Sequence, residues 1–529
     1  MPFVFRDFTP DNELKYVSIA REALDNGSVV AFYNHGEAYA DKPPLYLWCM
    51  MGAYALLGNN LMWLMGIVSI IPLIIIMVVM GRWMASEHED YDRRTADFMA
   101  ATGGFLAAGA AVLRMDMLMA MFIVLALRTF WKLYRGTGSK ADTWLLPLYI
   151  FLALFTKGPV GVLMPPLCIA VFLLLRGELR SFGRYLGWRQ WALIGGLCAL
   201  WFSAIYFEGG TEYLNNLLFK QTVGRGINSF HHAAPWYYYA VRLPMTFAPW
   251  SLLLAAIFIG AWLSRRGSVT ARWREVDTFF TVTIAATFVM LSLFSSKIDI
   301  YLLPVYPFVF YLAAFRLTTV ENKWYVKAAA AVPALVLVLL PAAAAFSGRF
   351  VDIPAAPAVW VAAVAAALCG AMALWLVRSN TREAVVAAAA GFLVLIFTGS
   401  FALPRYNEYI GWRCLARAVE ETAGETGARP GVMYYKFRGG ENLDVFLSGP
   451  IERCDDIEAL KAMEQSQCGA PSLLLVRNKS CRREPELDTW TRSRTVRETG
   501  GCRIVLLGAA AKDDYDNVPT DNEQYDEQR

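Results

Sequence analysis

Charge is scarce in this chain. Asp, Glu, Lys and Arg make up 18% of its 529 residues, where a soluble domain carries roughly 25%, and histidine occurs only four times. The 49 Lys and Arg exceed the 45 Asp and Glu by four, and the basic residues are scattered, so a nucleic-acid footprint is excluded. There is no heptad pattern and no repeat of about 20 to 50 residues, which excludes coiled-coil and solenoid architectures. What is abundant is apolar. With 57% hydrophobic residues and a mean hydropathy of +0.38, intrinsic disorder is excluded as well, and the reading is an all-α polytopic membrane protein.

Apolar runs long enough for a hydrocarbon core of about 30 Å fall at 61–80, 97–113, 117–133, 143–156, 159–175, 191–207, 240–263, 276–295, 300–316, 326–345, 357–377 and 384–403. Alternate loops hold the basic residues, among them Arg82, Arg93 and Arg94, then Arg135 and Lys140, then Arg265, Arg266, Arg272 and Arg274. By the positive-inside rule these loops are cytoplasmic, and the intervening loops and both termini lie on the periplasmic side of a bacterial inner membrane. Residues 1–60 lack the basic and apolar regions of a signal peptide. They read as a periplasmic first loop with interfacial amphipathic helices near 11–24 and 45–57, and a translocated N-terminus with no span before it leads to the expectation of one further helix upstream. The transmembrane domain is read as 61–403. After Phe401 charges return and short alternating runs appear, which places a small periplasmic α/β domain at 404–512 and a disordered acidic tail at 513–529. Cys414, Cys454, Cys468, Cys481 and Cys502 fall in this region. Disulfides and reduced thiols both remain open there, since the count is odd.

Ionisable groups beside spans are expensive and mark functional candidates. On the periplasmic side they form a short series: Asp11 and Glu13, then Tyr39-Ala40-Asp41-Lys42-Pro43-Pro44, then Arg114-Met115-Asp116, then Lys157 in the Thr156-Lys157-Gly158-Pro159 hairpin. The loop beyond Glu208 adds Lys220, Arg225, His231 and His232, and Ser296-Lys297-Ile298-Asp299-Ile300-Tyr301 adds Lys297 and Tyr301. His231 and His232 are the candidates for a divalent metal. They would diverge by about 100° on a helix, and no HExxH or Cys pair completes a site. Together the cations and few carboxylates suit an anionic phosphate ligand.

The ordered motifs YADKPPLYLW, LRMDMLMAMF, FTKGPVGVLMP, HHAAPWYYYAVRLPMTFAPWSLL and SSKIDIYLLPVYP resemble the dolichyl-phosphate-mannose-protein mannosyltransferase-like group. The similarity is greatest to the bacterial aminoarabinose transferases that modify lipid A. These are GT-C membrane glycosyltransferases with thirteen spans followed by a periplasmic α/β domain. The resemblance implies a sugar donor carried on undecaprenyl phosphate, an acceptor such as lipid A, another glycan or a protein, and inverting displacement. Motif by motif it implies active-site roles for Asp41 and Lys42 with Tyr39 nearby, for Asp116, for Lys157 and for Tyr301, with Lys297 on the same surface. Relatives read Pro-Asp-Glu-x-Arg-Tyr in the first loop, whereas this chain reads Pro10-Asp11-Asn12-Glu13-Leu14-Lys15-Tyr16. Asn12 stands at the Asp position, which leaves Glu13, then Asp11, or a base elsewhere in the chain for the catalytic role, and Lys220 and Arg225 as further candidates for the phosphate. The alternatives are a lipid or sugar transporter or flippase, and an inactive GT-C scaffold.

Overall fold

A computed structural model describes residues 5–58, 61–223, 234–264, 274–346, 356–425, 431–447, 449, 451–466 and 472–507. They form two compact units, one of Glu22–Ala402 and one of Phe5–Arg21 with the chain from Leu403 onward. The stretch 1–60, expected as one loop domain, is therefore divided. Its first part is tied down by polar contacts: Asp7 N donates to Asn407 Oδ1 at 2.9 Å, the Asp7 carboxylate accepts Arg413 N at 2.7 Å, and Arg21 Nη1 donates to Asp444 O at 2.9 Å. Helices expected near 11–24 and 45–57 are found at Lys15–Asn26, preceded by one π-helical turn, and at Leu45–Leu57.

Among the described residues of the chain, eight helices are long and apolar enough to cross a membrane. There are nine if Tyr238–Thr246 and Ser251–Ser264, bent by 112°, count as one span. This is a multi-pass membrane protein. Three of the twelve expected spans are not in that set. The run 97–113 is broken at Gly103, where ψ of 119° ends the helix Arg93–Thr102 before Gly104–Ala110 begins. The Phe310 ring occupies the place a Cβ at Gly103 would take, and Gly104 N donates to Ala248 O at 2.7 Å, so the backbone leaves the helix to meet its neighbours. The run 143–156 lies in Lys140–Lys157, which carries Lys140, Asp142 and Lys157, and 159–175 is a helix of only 17 residues.

The core of this first unit is aromatic. Trp131 stacks on Phe279 at 5.4 Å, Phe172 meets Phe279 edge-on at 5.0 Å, and Trp83 meets Phe280 edge-on at 4.9 Å. Near the basic loops Glu275 takes both Arg135 (3.0 Å) and Arg176 (2.5 Å). The fully buried Asp277 lies between Arg316 (2.9 Å) and His88 (3.1 Å).

One helical hairpin decides where the candidate chemistry falls. Asp116–Tyr134 has 19 residues and Lys140–Lys157 has 18, so at 1.5 Å per residue each is about 27–29 Å long. A five-residue turn folds them back on each other. Equal antiparallel lengths bring the first residue of one beside the last residue of the other. At the turn Ser139 and Asp142 form a capping box, and Lys132 Nζ reaches Asp142 Oδ1 at 3.3 Å, which pins the register at the far end.

Ahead of this hairpin, β1 (Tyr33–Asn34) and β2 (Glu37–Ala38) pair antiparallel across His35-Gly36, both at positive φ, the two-residue turn such a ribbon needs. In the second unit β3 (Val432–Tyr435), β4 (Ile451–Cys454), β5 (Ser472–Arg477), β6 (Thr495–Thr499) and β7 (Cys502–Leu507) make one sheet in the order β4-β3-β5-β7-β6. β3 runs parallel to β4 and β5, while β7 is antiparallel to β5 and β6. Central β5 is buried along five of its six residues, which is why Ser472-Leu473-Leu474-Leu475-Val476 reads as a continuous apolar run rather than an alternating one. Cys414, Cys454, Cys481 and Cys502 are free thiols, and Cys468 lies outside the described residues.

Candidate active site

In the first unit the hairpin ends place Asp116 at a helix N-terminus and Lys157 at a helix C-terminus, each the charge its helix dipole favours. They pair directly, Lys157 Nζ on Asp116 Oδ1. Asp116 is 1% exposed, and its other oxygen accepts Arg114 Nε at 3.2 Å. Two cations on one buried carboxylate leave an excess of positive charge. Gly158, at φ 117° and ψ −149°, breaks the chain immediately after Lys157 and lets Pro159 start the next helix. Lys157 Nζ also lies 4.4 Å above the Tyr301 ring, whose negative face supports a cation where water is restricted.

The Asp41-Lys42-Pro43-Pro44 run ends against the same place. Pro44 begins the helix Leu45–Leu57, and Trp48 on that helix packs edge-on against Phe155 at 5.2 Å, two residues before Lys157. Lys42 Nζ stands 3.3 Å from Asp41 Oδ2, both about one quarter exposed, and its positive charge acts on Lys157. Tyr39 is buried: its carbonyl accepts Tyr213 Oη at 2.9 Å, and Tyr213 in turn accepts Phe32 N at 3.0 Å. Tyr213 thus clamps the loop that delivers Asp41 and Lys42. The cluster holds three cations against two carboxylates, a net charge of +1.

Residues 98–359 match the model of the Alg9-like mannosyltransferase family. Over 96% of both chains the structure superposes on that of ArnT from Cupriavidus metallidurans bound to undecaprenyl phosphate, with a TM-score of 0.75 at 17% identity, and on its apo state with a TM-score of 0.74. The chain has the GT-C fold. In sequence this GT-C chain is 27% identical over 301 residues to an uncharacterized protein of Aquifex aeolicus. It is 26% identical over 306 residues to an undecaprenyl phosphate-alpha-4-amino-4-deoxy-L-arabinose arabinosyl transferase of Pseudomonas fluorescens. Each match takes in 56% of this chain, and the chain spans 57% and 53% of those relatives, little more than half.

Within the GT-C unit, Asp41, Lys42, Tyr39, Asp116, Lys157 and Tyr301 are thus brought to one region. Lys297 is placed differently. It is 4% exposed, and its Nζ donates to the carbonyls of Ala234 at 2.8 Å and Phe294 at 2.5 Å, which makes it a loop tie rather than a presented cation. Glu13 belongs to the second unit, where Arg6 forks onto its two oxygens at 2.8 and 2.5 Å, and Thr9 N and Oγ1 donate at 2.8 and 2.9 Å. A carboxylate 1% exposed and holding four such bonds serves the local fold. Asp11, Lys220, Arg225, His231 and His232 lie outside the described side chains. Among the described residues no three His, Cys, Asp or Glu side chains gather as metal ligands.

Two elements absent from the expected site adjoin it in sequence. Arg114 grips Asp116, and Arg242 clamps Asp299 through Nε at 3.1 Å and Nη2 at 2.6 Å, two residues before Tyr301. The Arg114-Met115-Asp116 turn was a visible signal for the first. Arg242 sits inside an apolar run 57 residues from Asp299, and only the tertiary fold joins them.

Proposed function

We propose that this protein is a glycosyltransferase that moves a sugar from an undecaprenyl-phosphate-linked donor to lipid A, on the periplasmic side of the bacterial inner membrane. The observation that carries this reading is the Arg114–Asp116–Lys157 cluster above Tyr301. A donor of this kind is a phosphodiester with one negative charge, which matches the net +1 of the cluster. The similarity to Pseudomonas arabinosyl transferases supports an aminopentose, 4-amino-4-deoxy-L-arabinose, as the sugar, and the ligand of the Cupriavidus protein supports an undecaprenyl carrier. The side of the membrane rests on the basic loops at the opposite ends of the spans.

In the proposed reaction an acceptor oxygen attacks the anomeric carbon from the face opposite the lipid phosphate. The carbon–oxygen bond to that phosphate breaks, its electron pair stays on the departing phosphate oxygen, and the sugar is inverted. The phosphate gains charge as it leaves. Lys157, Arg114 and Lys42 are proposed to meet that charge, which is where fixed cations in a water-poor site lower a barrier most. Asp116 is proposed to orient Lys157 and Arg114, and Asp41 to hold Lys42 and face the acceptor. A phosphate acceptor is already anionic and needs positioning more than deprotonation.

The test is expression in cells lacking their own lipid A aminoarabinose transferase, followed by mass spectrometry of extracted lipid A. A sugar-sized gain with the wild type, absent with Lys157→Met, is the expected result. Equal profiles with and without the wild-type gene would refute the acceptor and turn attention to protein or other glycan acceptors.

A further inference from the structure

The second unit contains a cavity of about 360 Å³ whose lining includes Pro10, the exposed Glu408, Trp412, Arg477, Gly500 and Gly501. This is large enough for a small ligand or a headgroup. Arg477 ends β5, and its guanidinium carbon lies 5.7 Å from the Trp412 ring centre and 5.4 Å from that of Phe437. Its polar partner is the Cys502 thiol, a weak acceptor. Among the described residues no carboxylate pairs with it. A guanidinium partly withdrawn from water and set on two ring faces is stabilised in part by those faces, yet its fork of donors stays open on one side.

A second feature lies beside two of the lining residues, Pro10 and Trp412. Asn442 is 1% exposed, and neither its Nδ2 nor its Oδ1 has a partner. A Cβ placed on neighbouring Gly439 would lie 3.5 Å from Asn442 Nδ2 and from Pro10 O, and 3.6 Å from Trp412. Gly439, at φ +81°, thus sits between an unsatisfied amide and two cavity residues.

We propose that this cavity is a separate binding site for the phosphate of an anionic membrane lipid, held by Arg477. Phosphate is the group that a guanidinium fork fits best. A lipid source is favoured because Leu403–Ile410, whose end forms the cavity edge, is the tail of the last candidate span, Thr381–Ile410. Exposed Phe401 (51%) and Tyr409 (64%) flank that tail, as aromatic side chains do at headgroup level.

The experiment uses the full chain in detergent, titrated calorimetrically with dihexanoylphosphatidylglycerol, with its phosphatidylcholine counterpart and with inorganic phosphate. The wild type is expected to bind the anionic lipid more tightly than either of the others. Arg477→Gln is expected to weaken that binding about tenfold or more, as loss of a charge-assisted contact does, and Arg477→Lys to retain part of it. Equal binding by Arg477→Gln and wild type would overturn the proposal. So would phosphatidylcholine binding as tightly as phosphatidylglycerol, and inorganic phosphate binding as tightly would replace the lipid by a soluble phosphate ligand. Should Arg477→Gln melt early, Arg477→Lys, which keeps the charge but not the fork, carries the same comparison.

Discussion

Replacing Lys157 by Met keeps the length of the side chain and removes its charge. Asp116 then retains only Arg114, at 3.2 Å and 35% exposed. Breaking a buried ion pair costs about 3–5 kcal/mol, and the surviving contact to a solvent-screened arginine reduces this to about 2–3 kcal/mol. If Lys157 also meets the departing phosphate, transfer falls by about 10²–10³, a barrier change of similar size. The single variant therefore does not separate a structural from a catalytic role. The double variant Asp116→Asn, Lys157→Met does, because it leaves no unpaired buried charge. Its melting temperature in detergent should return toward that of the wild type, while the sugar-bearing fraction of lipid A stays as low as in Lys157→Met. Recovery of transfer along with stability would refute the assignment and reduce the pair to a helix-end clamp.

Glu13→Gln should lower the stability of the second unit by about 3 kcal/mol or more, since the charged partner of Arg6 is lost, and limited proteolysis should cut it sooner; unchanged protection with lost transfer would restore Glu13 to a chemical role. Gly103→Leu should cost about 1–3 kcal/mol by forcing the Phe310 ring aside, read as a lower melting temperature. Burial pushes the Cys502 thiol up to about 11 from the ordinary 9.0. Between those values the unfolded chain releases a proton that the folded chain keeps, so stability should fall as pH rises through this window, and Cys502→Ala should flatten that part of the profile.

Hydropathy made the spans legible because lipid demands long uncharged helices, but it read through Gly103, where a glycine inside an apolar run looks continuous until the Phe310 ring is seen beside it. The separate turns carrying Arg114, Asp116 and Lys157 were visible as charges in places too short for solvated loops. Their meeting was not, since 41 residues separate Asp116 from Lys157 and only matched helix lengths bring them together. Lys297 and Glu13 were legible as polar residues in conspicuous positions. Whether such a group is presented or consumed depends on its partners: backbone carbonyls 63 and 3 residues away for Lys297, and Arg6 and Thr9 for Glu13. The small sheet was announced by runs such as Val432 to Phe437, whereas the capture of Phe5–Arg21 by that unit rests on bonds such as Asp7 to Asn407, 400 residues apart.

The hairpin Asp116–Tyr134 and Lys140–Lys157 works as a ruler whose zero mark is the Ser139–Asp142 cap. Deleting one residue from either arm would shorten it by about 1.5 Å and swing its tip through about 100°, which withdraws one charge from the other without altering either. Substitutions along the arms are far gentler than changes of their length. In the turn Ser139 and Asp142 set the cap, and the number of residues between that cap and the site sets the register.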